Sequence, residues 1–332
     1  MSNKRIFYAC QAIEIQPIAA NGTTSTAVKP KGVQSVGMNT NFNLEKIFQL
    51  GQIDLYDNIE NNPEVEITVN KVFDGTVPVY LLAMGGGQVE GNIGDFANNR
   101  ANVKLGIYSD TGALASGTAQ HTVTCTGMYV SSVGFTFPTD GNATEDVTLV
   151  GNSKTWSAGG LSAFVPSSGP YTAPATARRW KFNRAESVFP TGAGGIGSTA
   201  PIQSVSVNAD FGRESIYELG SYTPYHRYVN FPVEVTSEIE VLATTGDYLN
   251  ISEATYSCTG TGEGRVQDKE IKFVICGSGT GDNLTIDLGK KNKITSVNYQ
   301  GGDTGGGNAT ITYSFTTDNY LKVTANGTFE SV

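Results

Sequence analysis

The chain of 332 residues carries 22 Lys and Arg against 31 Asp and Glu, a formal net charge of −9 and a pI near 4.8. Proteins that grip nucleic acid draw their free energy from Lys and Arg displacing counterions, so this balance argues against tight nucleic-acid binding. Richness in Gly, Thr, Ser, Asn and Val, with no long stretch of apolar residues at helical spacing, excludes a helical bundle and points to a mainly β chain with many turns.

At the start, "IFYAC" (Ile6 to Cys10) is followed by Gln11 and Glu14, which break the apolar run before a signal-peptide core forms, so no export signal is expected. An opening strand then gives way to the Gly- and Thr-rich run Ala19 to Lys31, read as an exposed loop with Asn21, Thr23, Lys29 and Lys31 along it. In Leu44 to Leu50, the residues Leu44, Ile47 and Leu50 fit one face of a short helix stopped by Gly51, or equally a bulged strand. The next stretch, "PEVEITVNKVF", alternates Val65, Ile67, Val69 and Phe73 with Glu64, Glu66, Thr68 and Asn70. Such alternation predicts a strand with an apolar side and an acidic, polar side.

The second half repeats the first. Val33 to Pro63 aligns without a gap on Ile202 to Pro232, with twelve identities in 31 positions, among them Phe42/Phe211, Glu45/Glu214, Leu50/Leu219, Gly51/Gly220 and Tyr56/Tyr225. Further on, Val130-x-Ser132-Val133-x-Phe135 recurs as Ile294-x-Ser296-Val297-x-Tyr299. The acidic strand recurs as "VEVTSEIEV", with Glu234, Thr236, Glu238 and Glu240 opposite Val233, Val235, Ile239 and Val241. We read a tandem duplication: a first domain 1–163, a Pro-, Ser- and Ala-rich linker 164–177, and a second domain 178–332. A second Gly-rich loop, Thr191 to Ala200, holds Thr191 and Ser198 and stands where Ala19 to Lys31 stands in the first half.

No catalytic constellation emerges. "GAGGIG" (Gly192 to Gly197) matches a dinucleotide fingerprint literally, but "STAP" follows it where a helix would be needed. The two histidines, His121 and His226, have no nucleophile motif beside them, and Cys10, Cys125, Cys258 and Cys276 lack metal-ligand spacing. The chain is therefore expected to be no enzyme, without catalytic, cofactor-binding or metal-ligating residues.

The block "GVQSVGMNTNFNLEKIFQLGQIDLYDNIENNPEVEITVNKVFDG" with "NVKLGIYSDTGALASG", and the closing "ITSVNYQGGDTGGGNATITYSFTTDN", resembles the tail tube (major tail) proteins of tailed bacteriophages. The resemblance implies two fused β-barrel or β-sandwich domains, each with at most one short helix. It implies pseudo-hexameric rings, here trimers of two-domain chains, stacked into a tube through which the genome is ejected. The implied partners are further copies of the chain, a tape measure protein, a tail terminator and a sheath if the tail contracts, in the virion and away from any membrane. On this reading Glu64, Glu66, Glu234, Glu238 and Glu240, with Thr68, Asn70 and Thr236, face the lumen, so double-stranded DNA slides past without being held. The loops at Asn21, Thr23, Lys29 and Lys31, and at Thr191 and Ser198, are expected to stack the rings. The competing reading is a surface-exposed adhesin or carbohydrate-binding protein, suggested by tandem β domains and the aromatic cluster "YTPYHRY"; a hydrolase is a weaker third.

Overall fold

The computed structural model describes residues 6–85, 90–109, 118–161, 181–190, 196, 200–221, 223–244, 268–277, 281–302 and 307–327. The proposed linker 164–177 lies outside them. The protein is mainly β. In the first half the strands are β1 (Gln11–Ile18), β2 (Val33–Asn41), β3 (Leu44–Phe48), β4 (Leu55–Glu60) and β5 (Glu64–Val72). Then come helix α1 (Val79–Met84), β6 (Glu90–Asn92), helix α2 (Ile93–Phe96), β7 (Arg100–Ile107), β8 (His121–Pro138), β9 (Thr144–Gly151) and β10 (Thr155–Ala158). The second half supplies β11 (Ile202–Asp210), β12 (Arg213–Ile216), β13 (His226–Val229), β14 (Glu234–Leu242) and β15 (Lys272–Cys276). It closes with β16 (Asn283–Asp287), β17 (Lys293–Gln300), β18 (Thr310–Asp318) and β19 (Lys322–Asn326). Both α-helices described lie in the first half, which therefore exceeds the expected limit of one short helix per domain.

Eight strands run side by side in the order β17-β18-β14-β11-β8-β9-β5-β2. Alternation along each strand sends one set of side chains inward: Val65, Ile67 and Val69 on β5, and Val235, Ile239 and Val241 on β14, are all at most 2% exposed. Four strands come from each half, and their registers match. Val36 faces Val69 as Val205 faces Ile239, and a bulge between Val33 and Ser35 recurs between Ile202 and Ser204. Likewise Val130 faces Leu149 as Ile294 faces Phe315, with a bulge before Ser132 and again before Ser296. A bulge displaces the backbone by one residue, so sharing both fixes the correspondence between the halves residue by residue.

The two sets join through β8 and β11, which pair antiparallel over seven positions from Ser204↔Pro138 to Asp210↔Ser132. The N-terminal part of the long β8 pairs instead with β7 and β10, and β1 lies beyond β7. A second sheet, β15-β16-β19-β6, contains β6 from the first half, so backbone hydrogen bonding crosses between the halves there as well. The buried apolar residues form one main cluster running from Ile13 to Ala325.

Helix α1 is buried on every side, and Pro78 before it offers no side-chain cap. Its orphan N–H groups on Val79 and Tyr80 donate to the carboxylate of Glu145 on β9, both at 2.8 Å. The counterpart of Glu145 in the other half is Ile311, where no described helix needs a cap. Burial pushes the Glu145 carboxyl above its usual range, against the pull of Lys71 and of these two N–H groups. Lys71 is itself buried and bonded to Asp74 and Thr76 at 3.0 and 3.2 Å. Among the described residues no helix is long and apolar enough to cross a membrane.

Candidate assembly surface

The eight residues read from the sequence as one polar face do share a face. Glu66, Thr68 and Asn70 on β5, and Glu234, Thr236, Glu238 and Glu240 on β14, point away from the core between fully buried neighbours. Strand register adds carboxylates that the sequence reading missed: Asp146 beside Asn70, whose Nδ2 donates to it at 2.6 Å, and Asp318 opposite Glu234. Like charges placed opposite each other destabilise a sheet, and here Thr316 Oγ1 relieves the pair by donating to Glu234 Oε1 at 2.9 Å. Among the Lys and Arg of these eight strands, Lys71 is buried beneath the sheet, which leaves Lys293, at the start of edge strand β17, as the cation on this face.

Glu64 stands apart from the other seven. Its Oε1 accepts from Arg227 Nη1 at 2.8 Å, and Arg227 Nη2 donates to Asn152 Oδ1 at 3.0 Å. Arg227 belongs to β13, so this ion pair ties a hairpin of the second half to the first.

Among the described residues, no strand pairs with the outer side of β17 or of β2, the two edges of the eight-stranded path. A long unpaired edge presents a row of free N–H and C=O groups, which proteins normally cover or blunt. The internal joint shows what is missing. On β11, Val205 and Val207 are 1% and 0% exposed, whereas their counterparts on β2, Val36 and Met38, are only partly buried. On β8, Val130, Val133 and Phe135 are 1%, 3% and 0% exposed; on β17 the counterparts Ile294 and Val297 are partly buried and Tyr299 is 54% exposed. In each case the more buried member has a strand paired on both sides, and Phe135 is covered further by Phe73 and by Tyr80 of α1.

The same contrast marks the two hairpins. Leu44 to Leu50 folds as a bulged strand, β3, paired with β4, and β12 pairs with β13 in the matching register: Ile47 faces Asp57 as Ile216 faces His226. Gly51 and Gly220 turn the two tips at φ +89° and +85°, a region only glycine enters freely. The β12–β13 hairpin is seated on the first half. Phe211 is fully buried and its N–H donates to Ser131 O at 2.8 Å. The Arg213 guanidinium lies over the rings of Tyr129 and Phe211, 5.1 and 5.9 Å from their centroids, and Nε donates to Val130 O at 2.8 Å. Burial pulls Arg213 down to about 10, with Tyr129 pulling it back. His226 meets Tyr129 edge-on at 6.3 Å. Among the described residues the β3–β4 hairpin has no such seat: Phe42, Leu44, Phe48, Tyr56 and Ile59 are all exposed. At the tips Leu50 and Leu219 are both fully exposed.

The loop at Asn21 and Thr23 is held within the chain. Thr23 N–H donates to Asn21 Oδ1, and the following segment runs back along β1 through Ile15↔Val28 and Ile18↔Thr24, leaving Lys29 and Lys31 half-buried. Backbone bonds to β1 thus fix the course of this loop within the chain. Thr191 and Ser198 lie outside the described residues.

No model of a known protein family matches the chain, and no curated protein matches it either.

Proposed function

We propose that the chain is a structural protein of a phage tail tube, two tandem tube domains whose three-chain rings stack around a lumen for genome ejection. The observation that favours this reading is the internal β8–β11 joint beside two open edges, because β17 and β2 are the counterparts of β8 and β11. A joint the chain makes once with itself it can make again with the next chain, β17 on β2, and a head-to-tail contact of this kind closes into a ring when the rotation allows. The counterpart register sets Tyr299 against Met38 and Ser296 against Asn41, as Phe135 faces Val207 and Ser132 faces Asp210.

Three copies of an eight-stranded path make twenty-four strands. At about 4.8 Å per strand such a barrel is roughly 37 Å across at the backbone, and wider once the strands tilt. Eight strands closing alone would be filled by their own side chains. The acidic face then lines the bore, where Glu66, Glu234, Glu238 and Glu240 repel the phosphates of passing DNA and outnumber Lys293, the cation on that face. Glu64 serves the joint between halves instead. The partners are other copies of the chain and the proteins at the ends, centre and outside of the tube; the location is the virion.

Electron microscopy of the purified protein tests this: rings or tubes are expected. Monodisperse monomers at every concentration, with affinity for a glycan array, would replace the reading with that of an adhesin.

A further inference from the structure

We infer that the exposed β3–β4 hairpin is an arm that seats on the second half of the neighbouring chain, with Phe42 packed over Lys293 to Thr295 and Asp57 paired with Lys293. The inference rests on the ring reading and deepens it by naming which surfaces of two copies meet outside the strand joint.

Its basis is the seated counterpart. The registers match position by position, so Phe42 corresponds to Phe211, Leu44 to Arg213, Asp57 to His226 and Asn58 to Arg227. On the receiving side Lys293 corresponds to Tyr129, Ile294 to Val130 and Glu234 to Glu64. Each contact made inside the chain therefore has a translated form. Phe211, wholly buried against β8, becomes Phe42, which is 56% exposed and wants a cover. Arg213 stacked on Tyr129 becomes Leu44 over the aliphatic stem of Lys293. The ring contact of His226 with Tyr129 becomes a carboxylate beside an ammonium, Asp57 with Lys293. Arg227 on Glu64 becomes Asn58 beside Glu234, an amide that can donate to a carboxylate without needing a buried charge.

The substitutions on the two sides are complementary in sign. The arm carries Glu45, Asp54, Asp57 and Glu60 against Lys46, whereas the seat carries Lys290, Lys291 and Lys293, where the first half has Thr126, Gly127 and Tyr129. Two of these lysines have partners in the isolated chain, Lys293 with Asp268 at 3.5 Å and Lys290 with Glu270 at 3.6 Å, but both pairs are exposed and long, and such pairs contribute little. The seat also disfavours the wrong pairing: on it Arg213 of β12, which stacks on Tyr129 within the chain, would meet the like charge of Lys293.

Carbodiimide coupling of the assembled full-length protein, prepared from equal parts of light and heavy isotope-labelled chains, tests the contact without a mutation. It joins only carboxylates and amines already touching, so an amide between Asp57 and Lys293 that mixes light and heavy peptides is expected. In parallel, Asp57→Lys and Lys293→Asp should each raise the protein concentration needed for assembly about tenfold or more, and the double exchange should restore it. All three variants change exposed side chains, so their melting temperatures should stay near that of the parent. Tubes that form without any arm-to-lysine cross-link, or single variants that assemble normally, overturn the inference while leaving the tube reading in place. A parent protein that never assembles overturns both.

Discussion

Position 299 and its counterpart 135 provide a matched pair for measuring what the open edge is worth. Tyr299 is 54% exposed on β17, and Phe135 is 0% exposed on β8, where β11 pairs alongside and Phe73 and Tyr80 pack on its ring. A tyrosine buries about 200 Å² when fully covered, so closing the joint removes roughly 110 Å² of Tyr299 from water. At about 25 cal/mol per Å² that contributes nearly 3 kcal/mol to each chain-to-chain joint. Tyr299→Ala should therefore weaken each joint about a hundredfold. Its effect on the folded monomer is confined to the part already buried, about 1–2 kcal/mol in urea unfolding. Phe135→Ala reverses the balance: its ring packs on Phe73 at 6.0 Å and Tyr80 at 6.1 Å, and its removal leaves a core cavity costing about 3–5 kcal/mol. Sedimentation velocity across a concentration series reads assembly, and urea titration under monomeric conditions reads stability. If Tyr299→Ala assembles at the parent's concentration, β17 is not a joint and the ring argument loses its foundation.

Three further outcomes follow from contacts on the page. Glu64→Ala leaves Arg227, whose side chain is 5% exposed, without its counter-charge and should cost about 3–5 kcal/mol; Arg227→Ala leaves a 41% exposed carboxylate for water to solvate and should cost about 1–2 kcal/mol, so equal losses in urea unfolding would contradict the asymmetry. Burial raises the Asp74 carboxyl, but Lys71 and the bonds from Thr76 outweigh it and hold the folded value below the usual range. The stabilisation is then present above the unfolded carboxylate value of about 3.9 and is lost as pH falls through the lower folded value, so Asp74→Asn should melt well below the parent at pH 7 and close to it near pH 2, and a constant offset would refute this. Exchanging Glu66, Glu234, Glu238 and Glu240 for Lys should leave tubes that retain DNA at low salt, release it at high salt and slow ejection; tubes that pass DNA as before would remove the acidic bore from the mechanism.

The legibility of the chain followed the physics of each segment. Strands β5 and β14 declared themselves because a half-buried strand must alternate, and "VEITV" and "VTSEIEV" do so. Leu44 to Leu50 was undecidable because seven residues fit either period; pairing with Leu55 to Glu60 settled it as a strand, a long-range fact that no local window contains. Helix α1 escaped notice for the opposite reason: "VYLLAM" is buried all round, so it has no polar face to set a helical period, and its cap comes from Glu145 on a distant strand. Within the surface, the acidic face could be read from alternation, whereas the diversion of Glu64 to Arg227 depends on two residues 163 positions apart. The open edge was equally hidden, since Tyr299 and Phe135 look like interchangeable aromatics until one is seen with a strand beside it and the other without.

Leu50 and Leu219 remain bare at the hairpin tips even though one of the two hairpins is already docked at its base. In the proposed stack of rings every layer would carry the same bare leucines, so the layer added last would still offer apolar surface to the next. Such a polymer has no natural stopping point of its own. On the proposed reading its length would be set from outside, by partner proteins at its centre and its end.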